Sequence, residues 1–101
     1  MKQDNILSLL GLARRSNNIV SGEFATEKAV KTGTARLVIV AGDASDNTKK
    51  KFTDKCSFYE VPIAFYSDKE SIGHSLGYEL RTSVAVTDEG FAKSLMKKLD
   101  L

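Results

Sequence analysis

The sequence holds one cysteine, one histidine and one proline, and it has no tryptophan. A lone Cys56 excludes an intramolecular disulfide, and with His74 as the sole imidazole no zinc set is plausible, so neither metal nor cofactor is expected. No apolar run is long enough to cross a bilayer, and no membrane association is expected. The opening Met1-Lys2-Gln3-Asp4-Asn5 runs into a segment interrupted by Ser8, Gly11, Arg14 and Arg15, which is not a signal-peptide pattern. The expected compartment is a reducing cytoplasm. Seven scattered glycines, no repeat and no low-complexity tract leave no linker, so residues 1–101 are expected to form a single domain.

Enzyme motifs are missing as well. There is no glycine-rich phosphate loop ending in Lys-Ser or Lys-Thr, no G-x-S-x-G elbow and no H-E-x-x-H. His74 falls opposite Ile72 and Leu76 on its helix and is expected to face water. Cys56 shares a side with Phe52, which predicts a buried, inert thiol. The carboxylates sit as caps or in charge pairs such as Glu27 with Lys31, one helical turn apart. Asp43, at the end of a central strand, is where an α/β enzyme would place a reacting group. It reads more simply as a loop cap or as a partner for a lysine such as Lys28. No catalysis is expected.

What is present is an alternating pattern of helices and short strands. Ile6, Leu7, Leu9, Leu10 and Ala13 recur at helical spacing over residues 4–14. The extended piece 18–21 leads into a second helix from Gly22 to Lys31, stopped by Gly33. Leu37-Val38-Ile39-Val40 is the β-branched run of a strand buried on both faces. Ser45 is an N-cap for a third helix carrying Phe52 and Cys56 on its inner side. Residues 63–66 form another strand, and Ser67 with Glu70 fits a capping box for a short helix ended by Gly77. Residues 83–86 are the last strand, and Thr87 caps a final helix whose inner side holds Phe91, Leu95 and Leu99. The fold class is α/β, a three-layer α/β/α sandwich with a central four-stranded mixed sheet.

Net charge is only +2, from 15 basic against 13 acidic residues, so its distribution matters more than its sum. In the second helix, Ala25, Thr26, Ala29 and Val30 form the packing face, while Phe24, Glu27, Lys28 and Lys31 lie opposite. Phe24 thus sits in the first turn beside lysines, at a helix start with free amide donors. That is an anion site of the kind phosphates use, with an aromatic ring able to stack on a base. The plainer alternative folds Phe24 back on Val20 or on the neighbouring loop as a satellite core contact. Gly22 either only relieves crowding at the turn or also lets an RNA backbone approach closely.

The loop Tyr78-Glu79-Leu80-Arg81-Thr82 is the second candidate. Leu80 reads as a platform for an unstacked base and Arg81 as a phosphate contact, or the stretch is an ordinary crossover with Leu80 tucked inside. Lys49-Lys50-Lys51 spreads around its helix and reads mainly as a solvated, solubilising run, with at most one lysine reaching distant phosphates.

The chain is similar, along nearly its whole length, to the kink-turn-binding ribosomal protein family of the L-seven-Ae type, especially its small bacterial YlxQ-like branch. The resemblance is carried by Leu9-Leu10-Gly11-Leu12-Ala13, Val20-Ser21-Gly22-Glu23, Lys28, Leu37-Val38-Ile39-Val40, Asp43-Ala44-Ser45 and Asn47-Thr48. It continues through Asp54-Lys55-Cys56, Val61-Pro62, Ile72-Gly73, Leu76-Gly77, Val84-Ala85-Val86-Thr87-Asp88 and Gly90-Phe91-Ala92. It implies an α/β/α fold that binds kink-turns, bent RNA elements with tandem sheared G·A pairs. The family reads those pairs with the start of the second helix and covers flipped-out nucleotides with the loop before the last strand.

By that resemblance Gly22 matches the conformationally free glycine, Lys28 the guanine-contacting lysine, and Leu80, Arg81 and Thr82 the base-covering loop. Glu23, Phe24, Ala25 and Lys31 complete the expected RNA-binding set. Archaeal and eukaryotic members carry an Asn-Glu pair where this chain has Phe24 and Ala25, which offer no side-chain hydrogen bonds. Glu23 lies one position early. The expected partner is structured RNA, ribosomal or from a riboswitch, and the ribosome itself is a candidate; the protein is expected to act as a monomer. The competing reading is a protein-interaction module in translation or ribosome assembly, with Phe24, Tyr78 and Leu80 as an apolar patch.

Overall fold

Every side chain of Leu37–Val40 is fully buried, and this strand organises the architecture. Successive strand residues point to opposite faces, so an all-apolar strand needs cover on both. Leu37 and Ile39 enter one core with Ile6, Leu10, Ile72 and Leu95. Val38 and Val40 enter a second core with Val30, Phe52 and Cys56. The computed structural model describes residues 4–101; residues 1–3, which open the segment read above against a signal peptide, lie outside them.

The elements run α1 (Asn5–Arg15), β1 (Ile19–Ser21), α2 (Glu23–Lys31), β2 (Leu37–Val40), α3 (Asp46–Phe58), β3 (Ile63–Phe65), α4 (Lys69–Ser75), β4 (Ser83–Val86) and α5 (Glu89–Lys98). The sheet order is β1-β4-β2-β3. β4 is antiparallel to both β1 and β2, while β2 and β3 are parallel, so the sheet is mixed. Helices α1, α4 and α5 supply one outer layer and α2 and α3 the other. The expected sandwich is the one observed.

Four helices close their first turn with a side chain. Asp4 accepts from the Ile6 and Leu7 amides, Ser45 from Thr48, Asp68 from Ser71 and Asp88 from Phe91. Two of these caps differ by one residue from the expectation, which placed them at Ser67 and Thr87. In each Ser-Asp or Thr-Asp pair both side chains can accept, and the carboxylate takes the position because its charge also meets the positive end of the helix dipole. Ser67 instead takes a left-handed turn at φ 58°.

β1 is an edge strand, and its last residue Ser21 lies opposite Val84 of β4. The next amide, Gly22 N–H, still donates to the Ser83 carbonyl at 2.9 Å. The chain therefore passes from the sheet edge straight into α2, and this anchored turn positions the candidate site.

Candidate nucleic-acid interface

Gly22 begins α2 at φ 97° and ψ 155°, a backbone region open essentially to glycine alone. Space is not the constraint, because a Cβ built there meets nothing within 4 Å. Among the five helices of the described residues, α2 is the one without a side-chain cap. Its first-turn amides have no intrahelical acceptor and concentrate partial positive charge at the surface.

Phe24 is 81% exposed, so the alternative in which it folds back as a core contact does not hold. Thr26, Ala29 and Val30 are buried on the packing side as expected, and Ala25 is half-buried beside them. Lys28 is exposed and makes no ion pair among the described residues. Phe24, Lys28 and Lys31 line a shallow hollow of about 250 Å³ on the outer face of the helix.

Lys31 is neutralised by Glu27 at 3.0 Å, the expected helical pair. The stronger partner of Glu27 comes from α3: Lys51 Nζ lies 2.7 Å from Glu27 and 3.3 Å from Glu23. The hydrogen bond from Lys51, with a second from Lys31, holds the Glu27 carboxyl at about 2. Hydrogen bonding to Glu27 in turn raises the Lys51 ammonium above its usual value. Lys51 is the member that departs from the reading of Lys49-Lys50-Lys51 as a mainly solvated run; Lys50 stays exposed, as expected. Lys51 fastens α3 to the outer side of α2, and Glu23, placed in the RNA-binding set, is engaged in that fastening.

The 78–82 loop reaches the same place from the other direction. Arg81 Nε donates to Ser21 Oγ at 3.0 Å, one residue before Gly22. Its guanidinium lies 3.7 Å from the centre of the Tyr78 ring, and Nη1 donates to the Leu80 carbonyl at 2.8 Å. Leu80 is 46% exposed, not tucked into the core. Thr82 is half-buried, and its carbonyl accepts from Ala41 N–H at 2.8 Å, so it belongs to the end of the sheet more than to the loop tip. Gly73 of α4 backs the loop: a Cβ there would come within 2.8 Å of Leu80 Cα and 2.9 Å of Glu79 backbone atoms.

Sequence reasoning missed a further member. Arg14, at the end of α1, donates to the Tyr78 hydroxyl at 3.1 Å, across 64 positions of sequence. That hydrogen bond holds the Tyr78 phenol below its usual range. The clues available beforehand were only the basic pair Arg14-Arg15 and, 64 positions away, an aromatic Tyr78 in the second candidate region.

The residues weighed for other chemistry lie elsewhere. Asp43 accepts from Lys69 N–H at 2.9 Å and so ties down the start of α4; the loop-cap reading holds, and no bond to Lys28 is seen. His74 is exposed. Cys56 is 1% exposed, and burial pushes its thiol up to about 11. No helix of the described residues is long and apolar enough to cross a membrane.

Residues 4–96 match the model of the Ribosomal protein L7Ae/L30e/S12e/Gadd45 family. The chain is 48% identical over 92 residues to "RNA-binding protein YlxQ" of Bacillus subtilis (strain 168), covering 91% of this chain and 92% of that one. A protein of the same name from Enterococcus faecium is 37% identical over 94 residues, covering 93% and 90%. A solved structure of a protein of unknown function from Bacillus halodurans C superposes with a TM-score of 0.94 at 37% identity, over 98% of this chain and 100% of that one. The Giardia lamblia 15.5kD RNA binding protein shares the fold, with a TM-score of 0.81 at 21% identity over 99% and 92%. This chain belongs to the Ribosomal protein L7Ae/L30e/S12e/Gadd45 family. The resemblance carried by its scattered sequence fragments identified the right family and the right fold.

Proposed function

We propose that this protein binds structured RNA of the kink-turn type in the cytoplasm, as a monomer and without catalysis. The contact surface comprises Gly22, Glu23, Phe24, Ala25, Lys28, Lys31, Leu80, Arg81 and Thr82. The observation that carries the reading is the bond from Arg81 to Ser21, which joins the Leu80 loop to the uncapped start of α2. RNA as the ligand class is further supported by the names of the two bacterial relatives.

Each part has a matching chemistry. First-turn amides and the helix dipole suit a phosphate or a base-edge acceptor. The exposed Phe24 ring offers a stacking platform, and Leu80 an apolar cover for an unstacked base. Lys28 lacks a competing carboxylate and is free to donate to a guanine edge. Lys31 already shares Glu27 and contributes less. Kink-turns in ribosomal RNA or a riboswitch fit this surface.

The test is binding to a standard kink-turn RNA and to a control with its sheared G·A pairs replaced by Watson–Crick pairs, each at two salt concentrations. Clear preference for the kinked RNA is expected, with affinity falling steeply as salt rises. Lys28→Ala is expected to cost about 1–3 kcal/mol. Equal, salt-sensitive binding to both RNAs would reduce the function to phosphate attraction. The protein-interaction reading loses one of its three apolar members, because Arg81 covers the Tyr78 ring.

A further inference from the structure

A second basic feature adjoins the site. Arg14 and Arg81 converge on one aromatic ring: the Arg81 guanidinium lies 3.7 Å and that of Arg14 5.5 Å from the Tyr78 ring centre. Neither forms an ion pair among the described residues, nor does the neighbouring Arg15. The helix dipole accounts for cations in the last turn of α1, where Arg14 and Arg15 both sit. It does not account for a second guanidinium brought to the same ring from another element, since like charges crowded without a counter-ion repel.

Beside this cluster a cleft of about 570 Å³ opens between α1 and α4, lined by Arg14, Arg15, His74, Ser75 and Gly77 among others. Its one carboxylate, Asp4, lies at the far end of α1, about 15 Å along the helix axis. Asp4 is also occupied, accepting from the Ile6 and Leu7 amides and from the Tyr66 hydroxyl. Gly11 lets α1 press against α4 at the cleft floor, where a Cβ would come within 2.8 Å of the Ser75 carbonyl oxygen. A continuous path of contacts therefore runs from Ser21 through Arg81 and Tyr78 to Arg14, and onto exposed Arg15.

We propose that the RNA footprint continues past α2 and the Leu80 loop onto the last turn of α1, where Arg14 and Arg15 hold phosphates of the helical arm adjoining the bend. This inference rests on the RNA-binding reading above and extends it from the bend to its flank. Arg81 is the hinge of the surface, shared between the bend and the arm. Tyr78 serves as a spacer: its ring supports Arg81, and its hydroxyl fixes where Arg14 presents its remaining donors. Guanidinium groups suit this role because their forked donors match phosphate oxygens.

The experiment compares full-length protein with Arg15→Ala and Arg15→Lys on three RNAs: a kink-turn with both arms long, and two in which one arm or the other is cut back close to the bend. Arg15 is exposed at a helix end, so its replacement leaves the fold intact. Arg15→Ala is expected to weaken binding to the long-armed RNA by about threefold to tenfold and to lower its salt slope by about 1. Arg15→Lys should recover most of the slope. The difference between wild type and Arg15→Ala should vanish on one of the two shortened RNAs and persist on the other.

Unchanged affinity and slope for Arg15→Ala on the long-armed RNA, with wild-type preference for the kink intact and Lys28→Ala weakening it, would overturn the extension alone. An equal Arg15→Ala effect on all three RNAs would likewise overturn the arm contact. Wild-type protein that fails to distinguish kinked from unkinked RNA would overturn both readings together.

Discussion

Lys51 of α3 lies 2.7 Å from Glu27 of α2, an ion pair that ties the outer side of the candidate RNA-binding helix to its neighbour and adds to the burial of Ala29 and Val30 against Phe52 and Cys56. The Glu27 carboxyl is held at about 2, against 4.5 for the unperturbed group. A depressed carboxyl pKa adds stability that is present above the unfolded value and disappears as pH falls toward the folded one. The contribution should therefore be complete above pH 4.5 and fade toward pH 2. Glu27→Gln is expected to lower stability near neutrality by about 1 kcal/mol, and to flatten the acid side of the stability curve. Urea unfolding across that pH range checks both.

Phe24 spends most of its surface on solvent. Phe24→Ala should leave the melting temperature nearly unchanged while costing about 1–3 kcal/mol of RNA affinity, since base stacking on an aromatic is worth that much. No charge is removed, so the salt slope should stay the same. Calorimetric melting and RNA titration on the same preparation test the pair of expectations. A loss of stability without loss of affinity would return Phe24 to a packing role.

Gly22→Ala separates backbone strain from crowding. Open space around the position means that the added methyl clashes with nothing, yet the backbone region strongly disfavours any side chain. A destabilisation of about 1–3 kcal/mol is expected from conformation alone. Denaturant midpoints give the answer directly.

Cys56 should be inert in the folded protein. A thiol held at about 11 is almost wholly protonated near neutrality, and the side chain is out of reach of solvent. Alkylation by iodoacetamide is expected to be slow in native buffer and fast in denaturant. Ready alkylation of the native protein would show that α3 opens easily.

Much of the architecture was legible because it rests on local patterns. Leu37–Val40 is apolar at every position, which dictates helical layers on both sides, and the alternation of helices with strands follows from spacing alone. The two displaced caps show the resolution limit of such patterns: where two acceptors stand side by side, sequence does not reveal which one meets the helix amides. The site was harder to read. Lys51 resembles its two neighbours in sequence, and only the packing of α3 on α2 singles it out. Helical spacing already set Phe24 opposite the packing face, and its exposure agrees, but the joining of Arg14 to Tyr78 depends on chain reversals that no local spacing encodes. Local reading and the family resemblance both pointed to the two candidate regions, but neither gave the bond from Arg81 to Ser21 that brings them together.

The close seating of the Leu80 loop on Gly73 bears on how quickly a ligand is captured. The Leu80 backbone is pressed against α4, and Tyr78 N–H and Arg81 N–H donate to the Gly73 and Lys69 carbonyls on either side of it. Such a segment has given up its conformational freedom during folding and has little left to surrender when RNA arrives. On the kink-turn reading proposed above, any shaping on encounter falls to the nucleic acid, which finds its bend against a rigid template. Association should accordingly be a single kinetic phase whose rate follows how readily the RNA folds by itself.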